Sequence, residues 1–310
     1  MLNILFSAKP AAWAEYEGPL NAAFAKVGLA AHLSLDHAPE DVDYIIFAPN
    51  GPVTDFRPYT NTKAVMGLWA GVEAIVDNET LTQPLCRLVD DSLTNGMIEW
   101  VTGHTLRHHL GMDTHIFGQD GIWRDESFPP VAADRPVTIL GIGALGAACG
   151  QALHALGFPV TGWSRSPKDI PNMRCLHGTD GLYEALTDAQ IVILLLPQTQ
   201  ETVNILNAET LSLMASGGFV INPGRGPLID DAALLAALES GQIAHATLDV
   251  FRQEPLPQDD PFWAHPQVTV TPHIASTTRP ETAADVIVEN ISRGEAGAPF
   301  RFIVDRRRGY

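Results

Sequence analysis

Three side chains that could take part in proton and anion chemistry each follow a predicted strand. Arg225 comes after the strand predicted at residues 219–222, Glu254 after the one at 244–249, and His273 after the one at 268–271. Ligands of an open parallel sheet bind outside the carboxyl ends of its strands, so we expect these three side chains to converge. Taken singly, each residue type is more typical of a solvated surface, and only the set as a whole indicates a site.

The three residue types have complementary chemistry. An arginine can hold a carboxylate through two hydrogen bonds and polarise a neighbouring carbonyl group. A histidine can deliver the proton that accompanies hydride transfer. A glutamate that is hydrogen-bonded to the histidine favours the charged imidazolium and fixes its orientation.

A glycine-rich turn lies upstream of these residues, between a strand predicted at residues 137–140 and a predicted helix. Its pattern is GIGALG, and apolar residues continue at helical spacing from Leu145. Such glycines permit a tight turn, close approach of the backbone to a pyrophosphate, and close packing of helix against strand. The helix N-terminus adds unpaired N–H groups and a positive dipole end. The pattern predicts a dinucleotide site at Gly141, Gly143, Leu145 and Gly146; a tight turn without a ligand is the alternative.

The end of the next predicted strand, at residues 159–163, indicates which dinucleotide would bind. A site selective for NAD places an acidic residue at the ribose 2′-hydroxyl about 20 residues after the glycines. The chain instead carries Ser164, Arg165, Ser166 and Lys168. A carboxylate about 4 Å from a 2′-phosphate would cost roughly 4 kcal/mol at an effective dielectric constant of about 20, and a cation would gain a similar amount before desolvation. The segment therefore favours NADPH, with NADH weaker; a solvated basic loop is the alternative.

Taken together, these segments resemble the D-2-hydroxyacid dehydrogenase family, and most closely its glyoxylate/hydroxypyruvate reductase branch. The matching stretches run nearly continuously over residues 137–275 and are GIGALG, WSRS, LLPQTQETVNIL, NPGRGPLIDDAALLAALESGQI, ATLDVFRQEPLP and VTVTPHIA. The resemblance implies that Arg225, Glu254 and His273 are catalytic. It also implies cofactor contacts from Pro197, Thr202 and Asp249, with Asp249 at the nicotinamide carboxamide.

The N-terminal part of the resemblance is weaker. The stretch LWAGV at residues 68–72 resembles the family's carboxylate-binding loop, which implies that the N–H groups of Ala70 and Gly71 face the substrate. Trp69 stands where the family usually has a small residue, and loop 47–53 lacks an aromatic residue that close relatives have there. Trp123 resembles a residue that some relatives send into the partner's active site, with simple interface packing as the alternative.

Predicted strands and helices alternate along the whole chain, a pattern that indicates parallel sheets covered by helices on both faces. Besides the strands above, we predict strands at 2–7, 43–48, 64–69 and 191–196, and helices at 11–27, 99–109 and 231–240. Asp230 is the predicted cap of the helix at 231–240, and Gly241 its left-handed C′ residue. The stretch from Thr278 to Glu281 has a capping-box pattern and opens a last helix that runs to Ser292.

The resemblance adds the domain organisation. It implies a Rossmann dinucleotide-binding domain at residues 99–276 and a smaller, flavodoxin-like substrate domain that is discontinuous, at 1–98 and 277–310. Hinges are expected near residues 98 and 276. The family forms dimers through the cofactor domain, which implies a homodimer interface at residues 99–124.

Length and composition exclude several other classes of function. The 310 residues suit about two domains. Lys+Arg number 19 against 36 for Asp+Glu, and the formal charge of −17 argues against nucleic acid or an anionic membrane as partner. Apolar runs such as residues 191–196 are far shorter than the about 18 residues needed to span a bilayer. Three cysteines without a CxxC pair, and an N-terminus unlike a signal peptide, predict a cytoplasmic protein.

Two further groups of residues receive structural interpretations. His104 and His108 lie four residues apart on a predicted helix beside His109, but no HExxH pattern accompanies them; we predict a polar helix face and no metal site. The run Arg306–Arg308 is interpreted as a short solvated basic tail.

The function indicated by all of these features is NADPH-dependent reduction of small 2-keto acids, glyoxylate and hydroxypyruvate above all, to D-2-hydroxy acids with His273 as general acid. Two alternatives stay open at this point. One is a non-catalytic dinucleotide-sensing scaffold on the same fold. The other is an oxidative NAD-dependent 2-hydroxyacid dehydrogenase, such as a phosphoglycerate or formate dehydrogenase.

Overall fold

A computed structural model describes residues 1–123, 125, 128–307 and 309. The chain divides into two compact units, Met1–Leu93 with Thr277–Tyr310, and Thr94–Ser276. The first boundary lies earlier than the hinge expected near residue 98. A reason is that the helix around this point begins at Asp91 rather than at the predicted Glu99. At the start of this helix, the carboxylate of Asp90 accepts the N–H of Leu93 at 2.6 Å.

The strands of the described residues are β1 (Leu2–Ser7), β2 (Ala31–Ser34), β3 (Tyr44–Phe47), β4 (Ala64–Gly67), β5 (Leu85–Cys86), β6 (Val137–Leu140), β7 (Val160–Ser164), β8 (Arg174–His177), β9 (Ile191–Leu194), β10 (Gly218–Asn222), β11 (Ile243–Leu248) and β12 (Val268–Val270). The α-helices are α1 (Pro10–Val27), α2 (Asp91–His109), α3 (Met112–Phe117), α4 (Ala144–Ala155), α5 (Gly178–Leu186), α6 (Ala208–Ser212), α7 (Asp231–Glu239), α8 (Pro261–Ala264) and α9 (Pro280–Glu295). Short 3-10 turns lie at Pro39–Asp41, Ala132–Asp134 and Gly226–Leu228.

The first unit contains a five-stranded sheet in the order β2-β1-β3-β4-β5, and every pair of neighbouring strands is parallel. This is the flavodoxin-like order. The central strand β3 has the sequence YIIF and is buried along its whole length, as expected for a strand covered on both faces. Tyr44 and Ile46 belong to the core that includes α1 and α9, and Ile45 and Phe47 to the core on the other face.

The second unit contains a seven-stranded parallel sheet in the order β12-β11-β10-β9-β6-β7-β8. Counted from β6, this is the Rossmann order with one additional strand at its end. The strand order reverses between β6 and β9, which pair directly. The carboxyl ends of these two strands form the topological switch point, where sheets of this kind bind ligands. The prediction of two doubly wound parallel-sheet domains, one Rossmann and one flavodoxin-like, is confirmed.

Sequence patterns located the long buried elements and missed the short ones. The strands β2 and β8 contain no fully buried residue, and β5 has only two residues, so none of the three has a continuous apolar run. The predicted cap of α7 is confirmed, because the Asp230 carboxylate accepts the N–H of Ala233 at 3.0 Å. Gly241 has the expected left-handed backbone, with φ at 78°.

The predicted capping box of the last helix is wrong. The N-cap of α9 is Arg279, which makes no capping hydrogen bond through its side chain. Pro280 follows as the first helical residue, and its fixed φ angle and missing N–H suit that position without a capping side chain.

The basic C-terminal run is also not a solvated tail where the structure describes it. The Arg306 guanidinium donates to the carbonyl oxygens of Val76 at 2.9 Å, Asn78 at 2.6 Å, and Leu81. All of these groups belong to the first unit, so the arginine ties the end of the chain to loop 76–81. Arg308 lies outside the described residues.

The histidines of α2 do not form the polar face that we expected from the sequence. His108 is 4 % exposed and stacks on Phe219 of β10 with ring centroids 4.8 Å apart. Its Nε2 lies 2.9 Å from the hydroxyl of Thr247 on β11. His109 is also buried and contacts Phe158 edge-on. The helix therefore packs its histidines against its own sheet, where imidazole rings take the place of apolar side chains.

This packing requires neutral imidazole rings. Burial, with repulsion from His245 and Arg107, lowers the pKa of His108 to about 3. Burial and Arg107 lower the pKa of His245 to about 4, and burial also lowers the pKa of His104. The neighbouring Asp113 raises the pKa of His245, and His265 lowers it.

The second unit should therefore lose stability in mild acid. An unfolded histidine has an ordinary pKa of 6.5, so the stabilising contribution is complete above that pH and is lost as pH falls toward the folded pKa of about 3. For His108 alone we expect a loss of about 2 kcal/mol in unfolding free energy between pH 7 and pH 5. Denaturant unfolding monitored at both pH values measures this difference.

The variant His108→Phe keeps a ring on Phe219 and removes the titrating group, so its stability should decline less between pH 7 and pH 5. The exposed His154 of α4 offers a matched control as His154→Asn. An equal decline in the wild type and in His108→Phe would contradict the interpretation.

Candidate active site

The glycine-rich turn connects β6 to α4 at the switch point of the larger sheet. Gly141 has φ at 104°, and a Cβ there would lie 2.6 Å from the carbonyl group of Leu195. A Cβ at Gly146 would collide with the carbonyl oxygen of Gly141. The turn and the close helix–strand packing thus depend on these two glycines. Leu145 packs against the core beneath the turn.

Gly143 differs from the other two glycines because the space beside it is open. It is exposed, and a Cβ built on it would meet nothing within 4 Å. Gly143 is also the N-cap residue of α4 and supplies no capping side chain. The first N–H groups of this 12-residue helix consequently face a space that a phosphate could enter, which fits the dinucleotide predicted for the turn.

The polar segment after β7 carries its cations close to the glycine turn. The Lys168 ammonium donates to the carbonyl oxygen of Ile142 at 2.9 Å, within the turn itself. The Arg165 guanidinium, whose side chain is 43 % exposed, forms an ion pair with Glu201 at 2.9 Å. The hydroxyl of Ser164 donates to the carbonyl of Ser166 at 2.8 Å and closes a tight turn. Glu201 was not among the residues singled out from the sequence.

The loop after β9 holds Pro197 and Thr202. The Thr202 hydroxyl donates to the carbonyl oxygen of Pro197 at 2.8 Å and accepts the N–H of Thr199 at 2.8 Å. Thr202 is buried, so its hydroxyl shapes this loop next to the switch point. Whether Pro197 and Thr202 contact a cofactor stays a prediction.

Arg225 lies in the loop after β10, and the shape of this loop depends on Asn222. The Asn222 side chain accepts the N–H of Gly224 at 3.1 Å and donates to the carbonyl oxygen of Arg225 at 3.0 Å. The guanidinium of Arg225 donates to the carbonyl of Gly224 at 2.6 Å. Arg225 is half-buried. Its loop approaches the next one so closely that a Cβ at Gly226 would collide with the backbone of Phe251.

Glu254 lies in the loop after β11, and the backbone around it holds its carboxylate. One oxygen, Oε1, accepts the N–H of Phe251 at 2.9 Å. The other, Oε2, lies 2.7 Å from Nδ1 of His273 and forms an ion pair when the imidazole is protonated. Arg252 fastens the same loop to α7, with its Nε 3.1 Å from the carboxylate of Asp231.

His273 follows β12 in a left-handed backbone conformation, with φ at 54°. Its N–H donates to the carbonyl oxygen of Asp249 at 2.8 Å. The Asp249 carboxylate is 1 % exposed and accepts the N–H groups of Ile274 and Ala275, each at 2.9 Å. It also accepts the hydroxyl of Thr271 at 2.6 Å. Asp249 thus holds the turn that presents His273; its contact with a nicotinamide carboxamide stays a prediction.

The loops after β10, β11 and β12 are therefore linked through their backbones and carry one residue each of the predicted triad. The arrangement offers a guanidinium for an anion and an imidazole whose Nδ1 is occupied by a carboxylate, which leaves Nε2 for proton transfer. Non-glycine residues in the left-handed region cluster at functional sites, and His273 is one of them.

The remaining predicted site residues lie in the other unit. Ala70 and Gly71 follow β4, are half-buried, and stay predicted substrate contacts. Trp69 is 43 % exposed, and its carbonyl accepts the N–H of Leu88 at 3.0 Å. Among the described residues there is no group of three or more His, Cys, Asp or Glu side chains that could hold a metal ion. No helix in the same part of the chain is long and apolar enough to cross a membrane.

Comparison with known proteins identifies the family of this chain. Residues 103–275 match the family model described as D-isomer specific 2-hydroxyacid dehydrogenase, NAD binding domain. A glyoxylate/hydroxypyruvate reductase A from Salmonella newport (strain SL254) is 40% identical over 257 residues, which cover 80% of this chain and 82% of the relative. A relative of the same description from Serratia proteamaculans (strain 568) is 42% identical over 256 residues, with the same coverage.

Solved structures extend the likeness to the whole chain. A D-isomer specific 2-hydroxyacid dehydrogenase from Xanthobacter autotrophicus Py2, in complex with NADPH and MES, has a TM-score of 0.93 at 40% identity and covers 99% of each chain. An NADPH-dependent glyoxylate/hydroxypyruvate reductase from Sinorhizobium meliloti, in complex with NADP and sulfate, has a TM-score of 0.87 at 31% identity and covers 100% of each. The chain belongs to the D-isomer specific 2-hydroxyacid dehydrogenase family of oxidoreductases and is similar there to glyoxylate/hydroxypyruvate reductases.

Proposed function

We propose that this protein reduces small 2-keto acids, with glyoxylate and hydroxypyruvate as its first candidates, to D-2-hydroxy acids at the expense of NADPH. The observation that carries the proposal is the ion pair of Glu254 with His273, 2.7 Å long, in the loops after β11 and β12. The Arg225 loop packs against the same group of loops. Unit 94–276 would bind the dinucleotide, and unit 1–93 with 277–310 would bind part of the substrate.

The residues of the larger unit fit a bound dinucleotide. The open space at Gly143 and the N–H groups of α4 suit the pyrophosphate, and Arg165 with Lys168 suits a 2′-phosphate. When bound, the nicotinamide supplies a hydride to the carbonyl carbon of the substrate.

The protein's own groups complete the reduction. Arg225 holds the substrate carboxylate. Ala70 and Gly71 of the smaller unit stay predicted substrate contacts. Because Glu254 occupies Nδ1 of His273, the proton for the new hydroxyl leaves from Nε2. That proton goes to the carbonyl oxygen as the hydride reaches carbon, so the carbonyl group becomes a hydroxyl group. Glu254 stabilises the imidazolium before the transfer.

The two alternatives fit these residues less well. A sensing scaffold would not need an imidazole held on a carboxylate that is itself held by a backbone N–H. An oxidative dehydrogenase selective for NAD would carry an acidic residue at the end of β7, where this chain has Ser164 and, directly after the strand, Arg165. The relatives named above are reductases, and two solved neighbours hold NADPH or NADP.

His273→Ala should lower the turnover of glyoxylate by about a hundredfold to ten-thousandfold, the range typical of lost acid catalysis. Arg225→Ala should lower it by about tenfold or more, because the substrate carboxylate loses a charged hydrogen-bond donor. NADPH should still bind to both variants. Stopped-flow absorbance measures turnover, and nucleotide fluorescence measures binding.

The exposed His154 and Arg174 provide matched controls as His154→Ala and Arg174→Ala, which should keep normal turnover. Near-normal turnover in His273→Ala or in Arg225→Ala would refute the proposed role of that residue. A panel of 2-keto acids, assayed with NADPH and with NADH, identifies the substrate.

Arg165→Ala should narrow the preference for NADPH over NADH. Hydrogen bonds to a charged group are worth about 1.5–3 kcal/mol, so the ratio of the two dissociation constants should shrink by about tenfold or more. Titration of both nucleotides by calorimetry measures the ratio, with Arg174→Ala as the control. An unchanged ratio would mean that another group binds the 2′-phosphate.

We also infer that the protein is a homodimer through the larger unit. The segment after α2 exposes several large apolar side chains: Leu110, Met112, Ile116, Phe117, Ile122, Trp123, Phe128 and Val131. Trp123 is 88 % exposed. Such a concentration of exposed apolar groups is typical of an interaction surface. Of the interface expected at residues 99–124, Arg124 lies outside the described residues.

Sedimentation equilibrium of the wild type should give about twice the mass of the chain, and a variant that combines Phe117→Lys with Trp123→Lys should give about one chain mass, since a charged side chain resists burial. Leu35→Lys, at an exposed leucine of the other unit, is the control and should leave the mass unchanged. A monomeric wild type would overturn the inference.

A further inference from the structure

The turn that presents His273 closes around a single buried carboxylate. Three donors reach the side chain of Asp249: the hydroxyl of Thr271 at 2.6 Å and the N–H groups of Ile274 and Ala275 at 2.9 Å. The first donor lies two residues before His273, and the other two lie directly after it. The hydrogen bonds thus bracket the histidine on both sides, and all of them end on one carboxylate.

The left-handed backbone of His273 is what aims the next two N–H groups at a common point. Consecutive N–H groups beside a left-handed residue form a concave anion-binding turn. For a non-glycine residue this conformation is costly, so it persists only where the surroundings hold it. Among the described residues, the carboxylate of Asp249 is the only side chain that accepts those two N–H groups.

The carboxylate must itself be held in one orientation, since rotation about its Cβ–Cγ bond would take its oxygens away from the two N–H groups. The Thr271 hydroxyl contacts Oδ1, the same oxygen that accepts the N–H of Ile274. Its distance of 2.6 Å is in the range of a strong, charge-assisted O–H···O⁻ bond. Thr271 is in turn fixed by its own N–H, which donates to the carbonyl of Leu248 at 2.9 Å.

We propose that Thr271 is a positioning residue for His273 and acts through the carboxylate of Asp249. The proposal rests on the proposed role of His273 as proton donor. Thr271 holds the Asp249 oxygens where they keep His273 left-handed, and this places Nδ1 of the imidazole on Glu254. Glu254 has a separate anchor in the N–H of Phe251, so loss of the Thr271 hydroxyl loosens the histidine and leaves its partner in place.

The test compares Thr271→Val, which replaces the hydroxyl by a methyl group of similar size, with Thr271→Ser, which keeps the hydroxyl. Thr271→Val should lower kcat for glyoxylate reduction by about tenfold to a hundredfold, the range expected for loss of one hydrogen bond to a charged group. The KM for NADPH should change little, and Thr271→Ser should restore most of the turnover. In proton NMR, the downfield resonance of an imidazole N–H held on a carboxylate should shift or broaden in Thr271→Val.

A matched control is Thr269 of β12, two residues before Thr271. The hydroxyl of Thr269 contacts Nε2 of His245 at 2.8 Å and is not one of the three donors that reach the Asp249 carboxylate, so Thr269→Val removes a similar hydrogen bond from β12 and should keep normal turnover. Thermal unfolding of all three variants shows that they are folded at the assay temperature.

The outcomes separate this proposal from the function on which it rests. Normal kcat in Thr271→Val overturns the positioning role, and an impaired His273→Ala would then still support the proposed function. An equal loss in Thr271→Val and in Thr271→Ser or Thr269→Val would indicate a general effect on the strand and would also overturn it. Normal turnover in His273→Ala would refute the proposed function itself.

Discussion

The charge of one buried carboxylate is the interaction on which the geometry of the site depends. Asp249 lies at the end of β11 with 1 % of its surface exposed, and it accepts three hydrogen bonds from the neighbouring strand end. A charge at such a depth is costly unless it is fully hydrogen-bonded. The turn after β12 supplies the donors by adopting a left-handed residue, and that residue is His273. The burial of Asp249 and the backbone strain at His273 therefore stabilise each other.

A second constraint brings the other loops to the same place. Gly226 is packed so tightly on Phe251 that a side chain there would collide with the backbone of the next loop. This contact joins the loop of Arg225 to the loop of Glu254, and the N–H of Phe251 then holds Glu254 toward His273. The triad is consequently positioned by backbone contacts between three loops. Gly226 and Asp249 determine the backbone arrangement, and the side chains of the triad supply the reactive groups.

The parts of this fold that could be predicted from the sequence are those with a continuous local signal. The buried strand β3, the turn at Gly141 and the cap of α7 by Asp230 depend on neighbouring residues, and each is visible as a pattern. The short strand β8 could not be found in this way, because none of its residues is fully buried. The prediction of a polar face for the histidines of α2 was wrong for another reason. His108 is polar, yet it packs on Phe219, a residue far away in the sequence.

The residues of the site also divide into those that could be predicted from the sequence and those that could not. Arg225, Glu254 and His273 were visible because each follows an apolar run, and the family resemblance named their roles. Thr271 and Glu201 were not singled out, since a threonine at a strand end and a glutamate in a polar loop look ordinary until their partners are known. Their partners, Asp249 and Arg165, lie 22 and 36 residues away along the chain. Only the parallel sheet, which gathers the carboxyl ends of its strands at one edge, brings such pairs together.

The net charge of −17 describes the surface of this protein and not its ligand site. At physiological ionic strength exposed charges are screened over about 8 Å, so an anionic ligand responds mainly to the groups nearest to it. The two cations proposed for the 2′-phosphate already have partners within the chain: Arg165 pairs with the carboxylate of Glu201, and Lys168 donates to the carbonyl of Ile142. A 2′-phosphate would therefore have to compete with Glu201 for Arg165. Because exposed ion pairs are worth only about 0–1 kcal/mol, a doubly charged phosphate can win that competition, and an overall acidic chain can still select an anionic cofactor.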